Sequence, residues 1–168
     1  MMKTRTLLFA NIIVFGIIAG IAAFLFLPLP QEKERHGKLP AFGMEGLAYT
    51  DLNDDVMILN VFSSWCPPCR AEHPLLLKLS KEHDIPLYGI AFQDTKENID
   101  AYLEELGNPY KQIGMDYGGL LVKAVPETMI LTKDHTIYWH VRGPLNEQVI
   151  NEQVLPLIGK LRNGTELQ

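Results

Sequence analysis

Alternation of β-type and helix-type segments predicts a mixed α/β domain over most of this 168-residue chain. Three observations carry the prediction. Val56–Phe62 is a largely apolar, partly β-branched run of the kind found in strands buried on both faces. A helical segment opened by Pro67-Pro68 follows it after a short turn. Downstream, a second strand-then-helix pair leads into a hairpin and a closing helix.

The elements follow in chain order. Leu7–Leu27 is apolar apart from Asn11 and is long enough to cross a bilayer core as a helix. A cleaved signal peptide is the rival, with Gly20-Ile21-Ala22 as the small-residue site. That site lies inside the apolar run, with Phe24–Leu27 beyond it, so an uncleaved anchor is expected. Lys3 and Arg5 flank one end while Lys33, Arg35 and Lys38 flank the other, so charge bias leaves the orientation open. Residues 1–6 form a short N-terminal stretch, 7–27 the span, 28–38 a charged tether begun by Pro28 and Pro30, and 39–168 the α/β domain.

Within the domain, Val56–Phe62 is the expected central strand. The helix from Pro67 carries Leu75, Leu76, Leu77 and Leu79 and ends before Ile85-Pro86. Pro86–Phe92 is the next strand. Thr95–Leu106 is an amphipathic helix with Ile99, Tyr102, Leu103 and Leu106 on one face, and Gly107 stops it. Thr128–Leu131 and Thr136–Val141 pair around Lys133-Asp134-His135. Asn146 caps a closing helix carrying Val149, Ile150, Val154, Leu157 and Ile158, kinked by Pro156.

Composition narrows the function. Lys3 and Arg5 are the only charged residues before Gln31, which leaves 13 basic against 20 acidic side chains, a balance of −7, in the remainder. Nucleic acid and anionic membrane surfaces are poor partners for such a surface. Cys66 and Cys69 are the only cysteines, two residues apart in Trp65-Cys66-Pro67-Pro68-Cys69-Arg70. Two sulfurs do not make a thiolate zinc site, and a chain of this length needs no covalent staple to bury a core. The alternative is a static loop disulfide, which closes too short a loop to stabilise much. A redox dithiol on a strand-to-helix turn is the better reading. Cys66 then falls at the helix N-cap, where unpaired N–H groups and the helix dipole favour a thiolate nucleophile. Cys69, one turn further in, is the resolving thiol, and Trp65 an apolar cover beside the pair.

Trp-Cys-x-x-Cys between a strand and a helix resembles the thioredoxin fold, and Val125-Pro126 resembles that fold's cis-proline. The stretch Trp65–Pro74, together with Val125-Pro126-Glu127-Thr128, His140–Leu145 and Leu39-Pro40-Ala41-Phe42, is similar to the membrane-anchored thioredoxins of cytochrome c maturation, the CcmG/DsbE family. The resemblance implies a cis Val125–Pro126 bond, a Val125 backbone that pairs with a passing substrate chain, and Pro67 and Pro68 beside the bound substrate. It also points to Glu72 and Glu127 as active-site acids. Ordinary thioredoxins carry a buried aspartate six positions before the first cysteine; here Asn60 stands there and is no base. Glu72 and Glu127 are therefore the candidates to accept the Cys69 proton, with a solvated surface role the alternative for each.

The activity implied is that of a thiol–disulfide oxidoreductase with no cofactor beyond its own Cys66–Cys69 pair. It would act as a reductant on the periplasmic face of a bacterial inner membrane. The partners implied are apocytochrome c or a maturation protein carrying it, and a transmembrane electron donor that re-reduces the pair. Two alternatives are a related anchored thioredoxin with another client and a thioredoxin-like copper chaperone. The latter usually has three residues between its cysteines, and no Met-rich or His-rich segment supports it here. His73 is expected on a helix face, and His36, His83, His135 and His140 at loop or strand surfaces.

Overall fold

The computed structural model describes residues 37–119 and 121–164. Its main sheet has six strands: β1 (Gly37–Lys38), β4 (Val56–Phe62), β5 (Leu87–Phe92), β6 (Gln112–Asp116), β7 (Glu127–Thr132) and β8 (Thr136–Arg142). Their spatial order is β1-β8-β7-β4-β5-β6, and β2 (Gly43–Met44) and β3 (Leu47–Ala48) form a separate hairpin. Strands β4, β5 and β6 run parallel, whereas β7 is antiparallel to β4 and to β8. Helix α1 (Pro67–Glu82) joins β4 to β5, and α2 (Lys96–Leu106) joins β5 to β6. The chain closes with α3 (Glu147–Val149), a π-helical segment (Ile150–Val154) and α4 (Leu155–Arg162).

The period-2 alternation of β4 divides the core. Val56, Ile58 and Phe62 join one apolar cluster with Leu76 and Leu79 of α1, Ile99 and Tyr102 of α2, and Ile150, Val154 and Ile158. Met57, Leu59 and Val61 point the other way, into a cluster with Leu47, Leu52, Tyr88, Ile90 and Met129. All seven β4 residues are buried, as expected for a strand paired on both edges and covered on both faces. Asn60 has the parity of Ile58 and Phe62, so its amide lies on the α1 side of the sheet.

The expected strands and helices are present, with boundaries shifted by a residue or two. Thr95 caps α2 by accepting the Asn98 N–H, Gly107 ends it at φ 88°, and Asn146 caps α3 by accepting the Val149 N–H. The irregularity expected at Pro156 takes the form of the π segment, in which the Leu155 N–H donates to the Ile150 carbonyl. Strand β6 was not expected: Gln112-Ile113-Gly114-Met115-Asp116 has two apolar residues and a central glycine. Its backbone pairs with β5, and a Cβ at Gly114 would lie 2.5 Å from Met44 Sδ and 2.8 Å from Leu47 Cβ. The glycine thus makes room for the β2–β3 hairpin. Gly37 and Lys38, the last residues of the expected tether, form β1 against β8. The expected span at 7–27 lies outside the described residues. Among the described residues, no helix is long and apolar enough to cross a membrane.

Candidate active site

The turn from β4 into α1 is held by its own backbone and by Asp94. Cys66 N–H donates to Ser63 O at 3.3 Å, and Ser63 Oγ donates to Phe92 O at 2.6 Å. Asp94 accepts from Ser64 N–H at 2.7 Å and Thr95 N–H at 2.8 Å, tying this turn to the start of α2. Cys66 is the N-cap of α1, its Sγ accepting the Cys69 N–H at 3.2 Å. Pro67 and Pro68 fill the first helical positions, where a missing N–H costs nothing, and both are exposed. Cys66 and Cys69 are joined as a disulfide, and both are buried. Trp65 lies open beside them: it is 54% exposed and is anchored by its indole N–H to the Gln93 carbonyl at 3.1 Å. The Val125–Pro126 bond is cis, Val125 is half-buried and Pro126 buried.

A buried polar network is centred on Asn60 and reaches α1 through Glu72. Its Nδ2 donates to Glu72 Oε1 and to Thr128 Oγ1, each at 3.0 Å, and lies 3.5 Å from Glu127 O. Its Oδ1 accepts from the Tyr110 hydroxyl at 2.8 Å. The β4–β7 register pairs Asn60 with Thr128, which puts the two side chains next to each other on one face. Glu72, three residues past Cys69 on α1, is 1% exposed, and its Oε2 accepts the Leu145 backbone N–H at 2.7 Å. Burial pushes the Glu72 carboxyl up to about 7, outweighing the Leu145 and Asn60 hydrogen bonds that favour its charged form.

Glu127 is also buried but has the opposite electrostatics. Burial raises its carboxyl, yet the His140 Nε2 contact at 2.5 Å and the His140 and Arg142 charges outweigh it, holding Glu127 below the usual carboxylate range. His73 lies on a helix face as expected, though buried, whereas His140, expected at a strand surface, is half-buried. His73 is buried on α1 with Nε2 at 2.8 Å from Gly107 O and Nδ1 at 3.2 Å from the Tyr102 hydroxyl, which also lies 3.4 Å from Cys69 O. Burial lowers the His73 pKa, so the neutral ring clips α1 to the end of α2. Among the described residues, no group of three or more His, Cys, Asp or Glu side chains is arranged to hold a metal ion.

The structure therefore buries Glu72 on the same helix as Cys69, one turn on, and places Glu127 directly after the cis-proline, on a different network. Tyr110 was missing from the residues expected to matter, and Thr128 and Leu145 entered only as members of family-like segments, with no role given to them. They lie far from the cysteines in sequence, and only strand register and loop path bring them to Asn60 and Glu72. Asn60 itself had a signal, because its parity along β4 places it inward toward α1.

A disulfide at the N-cap of the helix that follows a central strand, with a cis-proline opening the strand paired to it, defines a thioredoxin-like thiol–disulfide oxidoreductase. The chain is similar to a solved thiol:disulfide interchange protein of the thioredoxin family from Chlorobium tepidum. The TM-score is 0.60 at 20% identity, covering 74% of this chain and 97% of that one. It is 33% identical over 184 residues to the thiol:disulfide interchange protein CycY of Rhizobium leguminosarum, covering 95% of this chain and 96% of that protein. It is also 37% identical over 114 residues to the thiol:disulfide interchange protein HelX of Rhodobacter capsulatus, 64% of either chain. No protein-family model matches the sequence. The chain belongs to the thiol:disulfide interchange proteins of the DsbE family.

Proposed function

We propose that this protein is an anchored dithiol reductant of c-type cytochrome assembly. It would be held by residues 7–27 at the periplasmic face of a bacterial inner membrane, with 28–38 as its tether. Cys66 at the N-cap of α1 carries the reading, because a sulfur that accepts a helix N–H is stabilised as the attacking thiolate. The cytochrome assignment is supported by the family-like segments around Cys66, Pro126 and His140–Leu145 together with membership of the DsbE family.

In the reduced protein, Cys66 thiolate attacks one sulfur of a client disulfide. That S–S bond breaks, a mixed disulfide to Cys66 forms, and the other client sulfur leaves as a thiolate that takes up a proton. Cys69 then gives its proton to the Glu72 carboxylate and attacks Cys66 Sγ. The Cys66–Cys69 bond forms, and the second client sulfur leaves and is protonated. Two electrons pass from the dithiol to the client, whose two sulfurs take up one proton from solvent and one in exchange for the proton that Cys69 gave to Glu72. A carboxyl near 7 suits Glu72 to this exchange at neutral pH, whereas Glu127, held ionised, supplies fixed charge beside Pro126. Trp65, the exposed Pro67 and Pro68, and the Val125 backbone form the surface against which an extended client lies. A membrane dithiol donor reverses the reaction and restores the pair. Tethering raises the local concentration of reductant beside membrane-bound clients.

The test is capture. With Cys69→Ala, resolution is blocked and clients stay attached to Cys66. Apocytochrome c or a haem-ligation partner among the captured proteins is the expected result. Their absence, with other thiol proteins captured in their place, would assign this protein another client.

A further inference from the structure

We infer that Asn60 is a positioning residue, which orients the Glu72 carboxylate through an amide N–H and so sets the pH range over which Cys69 is deprotonated during resolution. The inference rests on the proposal that Glu72 receives the Cys69 proton. Its geometry stands on the hydrogen bonds themselves. Both Glu72 oxygens face donors, Asn60 Nδ2 at 3.0 Å and the Leu145 N–H at 2.7 Å. The Leu145 donor belongs to the backbone and cannot turn. The Asn60 amide could present either end, and the acceptors around it decide which. The Glu127 carbonyl, which can only accept, lies 3.5 Å from Nδ2 on the same side as the Glu72 carboxylate, while the Tyr110 hydroxyl, kept protonated by burial, donates to Oδ1 at 2.8 Å. The NH2 group is left to face Glu72 and Thr128. An asparagine at this position thus loses the chemistry of a base and supplies a fixed donor to the base that acts.

The neighbours of Glu72 add no second charge switch near pH 7. On β7, Thr128 is neutral, and Glu127 directs its carboxylate to His140 and Arg142. Tyr110 precedes β6, and Tyr102 of α2 is pushed up to about 12, chiefly by burial, so both phenols remain neutral. On α1, Arg70 pairs with Glu105 at 2.7 Å and His73 is neutral, which leaves the two cysteines as the groups that exchange protons with Glu72.

The test follows resolution in the reduced full-length protein mixed with dithiobis-nitrobenzoate, whose second released thiolate reports Cys69 attacking Cys66. The wild-type rate is expected to rise with pH along a limb centred near 7. In Asn60→Ala, loss of a charge-assisted donor moves that limb upward by about one pH unit, roughly tenfold slower resolution on its acid side, with the rates converging at high pH. The Glu72 carboxyl carbon shift in the oxidised protein should report the same displacement by NMR, which a merely structural role would not move. Asn60→Ser carries the test should the alanine variant fail to fold. In a Glu72→Gln background the Asn60 change should displace nothing. An undisplaced limb in a folded Asn60 variant, with Glu72→Gln still abolishing the limb, would overturn the inference while leaving Glu72 its role. A limb that survives Glu72→Gln would instead remove Glu72 as proton acceptor, and the Asn60 inference with it.

Discussion

Replacing Glu72 by Gln should change the pH dependence of stability in a way fixed by its burial. Glu72 is 1% exposed, and its carboxyl is raised from an ordinary 4.5 to about 7. Between those values the folded state binds a proton that the unfolded chain does not, so stability falls as pH rises through this window. The interval corresponds to about 3 kcal/mol, an upper value because water reaching the site would reduce it. Gln has the shape of Glu but no proton to lose, so the variant escapes this decline. The assay is urea unfolding of the oxidised protein, in which neither cysteine titrates, for both proteins between pH 4.5 and 8.5. The stability of Glu72→Gln relative to wild type should rise by up to about 3 kcal/mol across that range, with the effects of other groups cancelling in the difference. At pH 4.5 the two proteins differ only by how well a neutral amide satisfies the Asn60 and Leu145 donors. A difference that stays flat with pH would show that Glu72 titrates normally and would refute the electrostatic account of the site.

Two further outcomes are expected. Trp65→Ala removes an exposed ring and its bond to Gln93 O, so it should cost less than about 1 kcal/mol of stability while slowing exchange with a protein disulfide by about tenfold; unchanged exchange kinetics would remove Trp65 from the client surface. Gly114→Ala would set a Cβ against Met44 Sδ and Leu47 Cβ, and urea unfolding should show a loss of about 1–3 kcal/mol with the redox pair still reactive. An unperturbed midpoint would contradict the packing of the β2–β3 hairpin on β6.

The chemistry of the site was legible where it depends on neighbours in the chain. Cys66 at an N-cap, Pro67 and Pro68 in the first turn and Cys69 one turn inward follow from helix geometry alone, and the structure reproduces that arrangement. The strands Val56–Phe62 and Leu87–Phe92 were legible because burial on both faces demands continuous apolar runs. Strand β6 escaped because its stability comes from backbone pairing with β5 and from a hairpin that packs over Gly114, neither of which leaves an apolar pattern. The surroundings of two histidines escaped for a related reason. His73 sits on its helix face but is buried because Gly107 and Tyr102 satisfy its two nitrogens, and His140, expected at a strand surface, is drawn to Glu127 across the β7–β8 ladder.

From its sequence alone, this chain determines an α/β domain with a dithiol at a strand-to-helix turn, because burial period, proline placement and the N-cap act over a few residues. The tertiary structure alone decides which carboxylate can exchange a proton near neutral pH. Glu72 and Glu127 are chemically the same residue, both buried, and differ only in what the fold sets beside them. Neutral donors from Asn60 and Leu145 leave burial dominant at Glu72, whereas His140 and Arg142 outweigh it at Glu127.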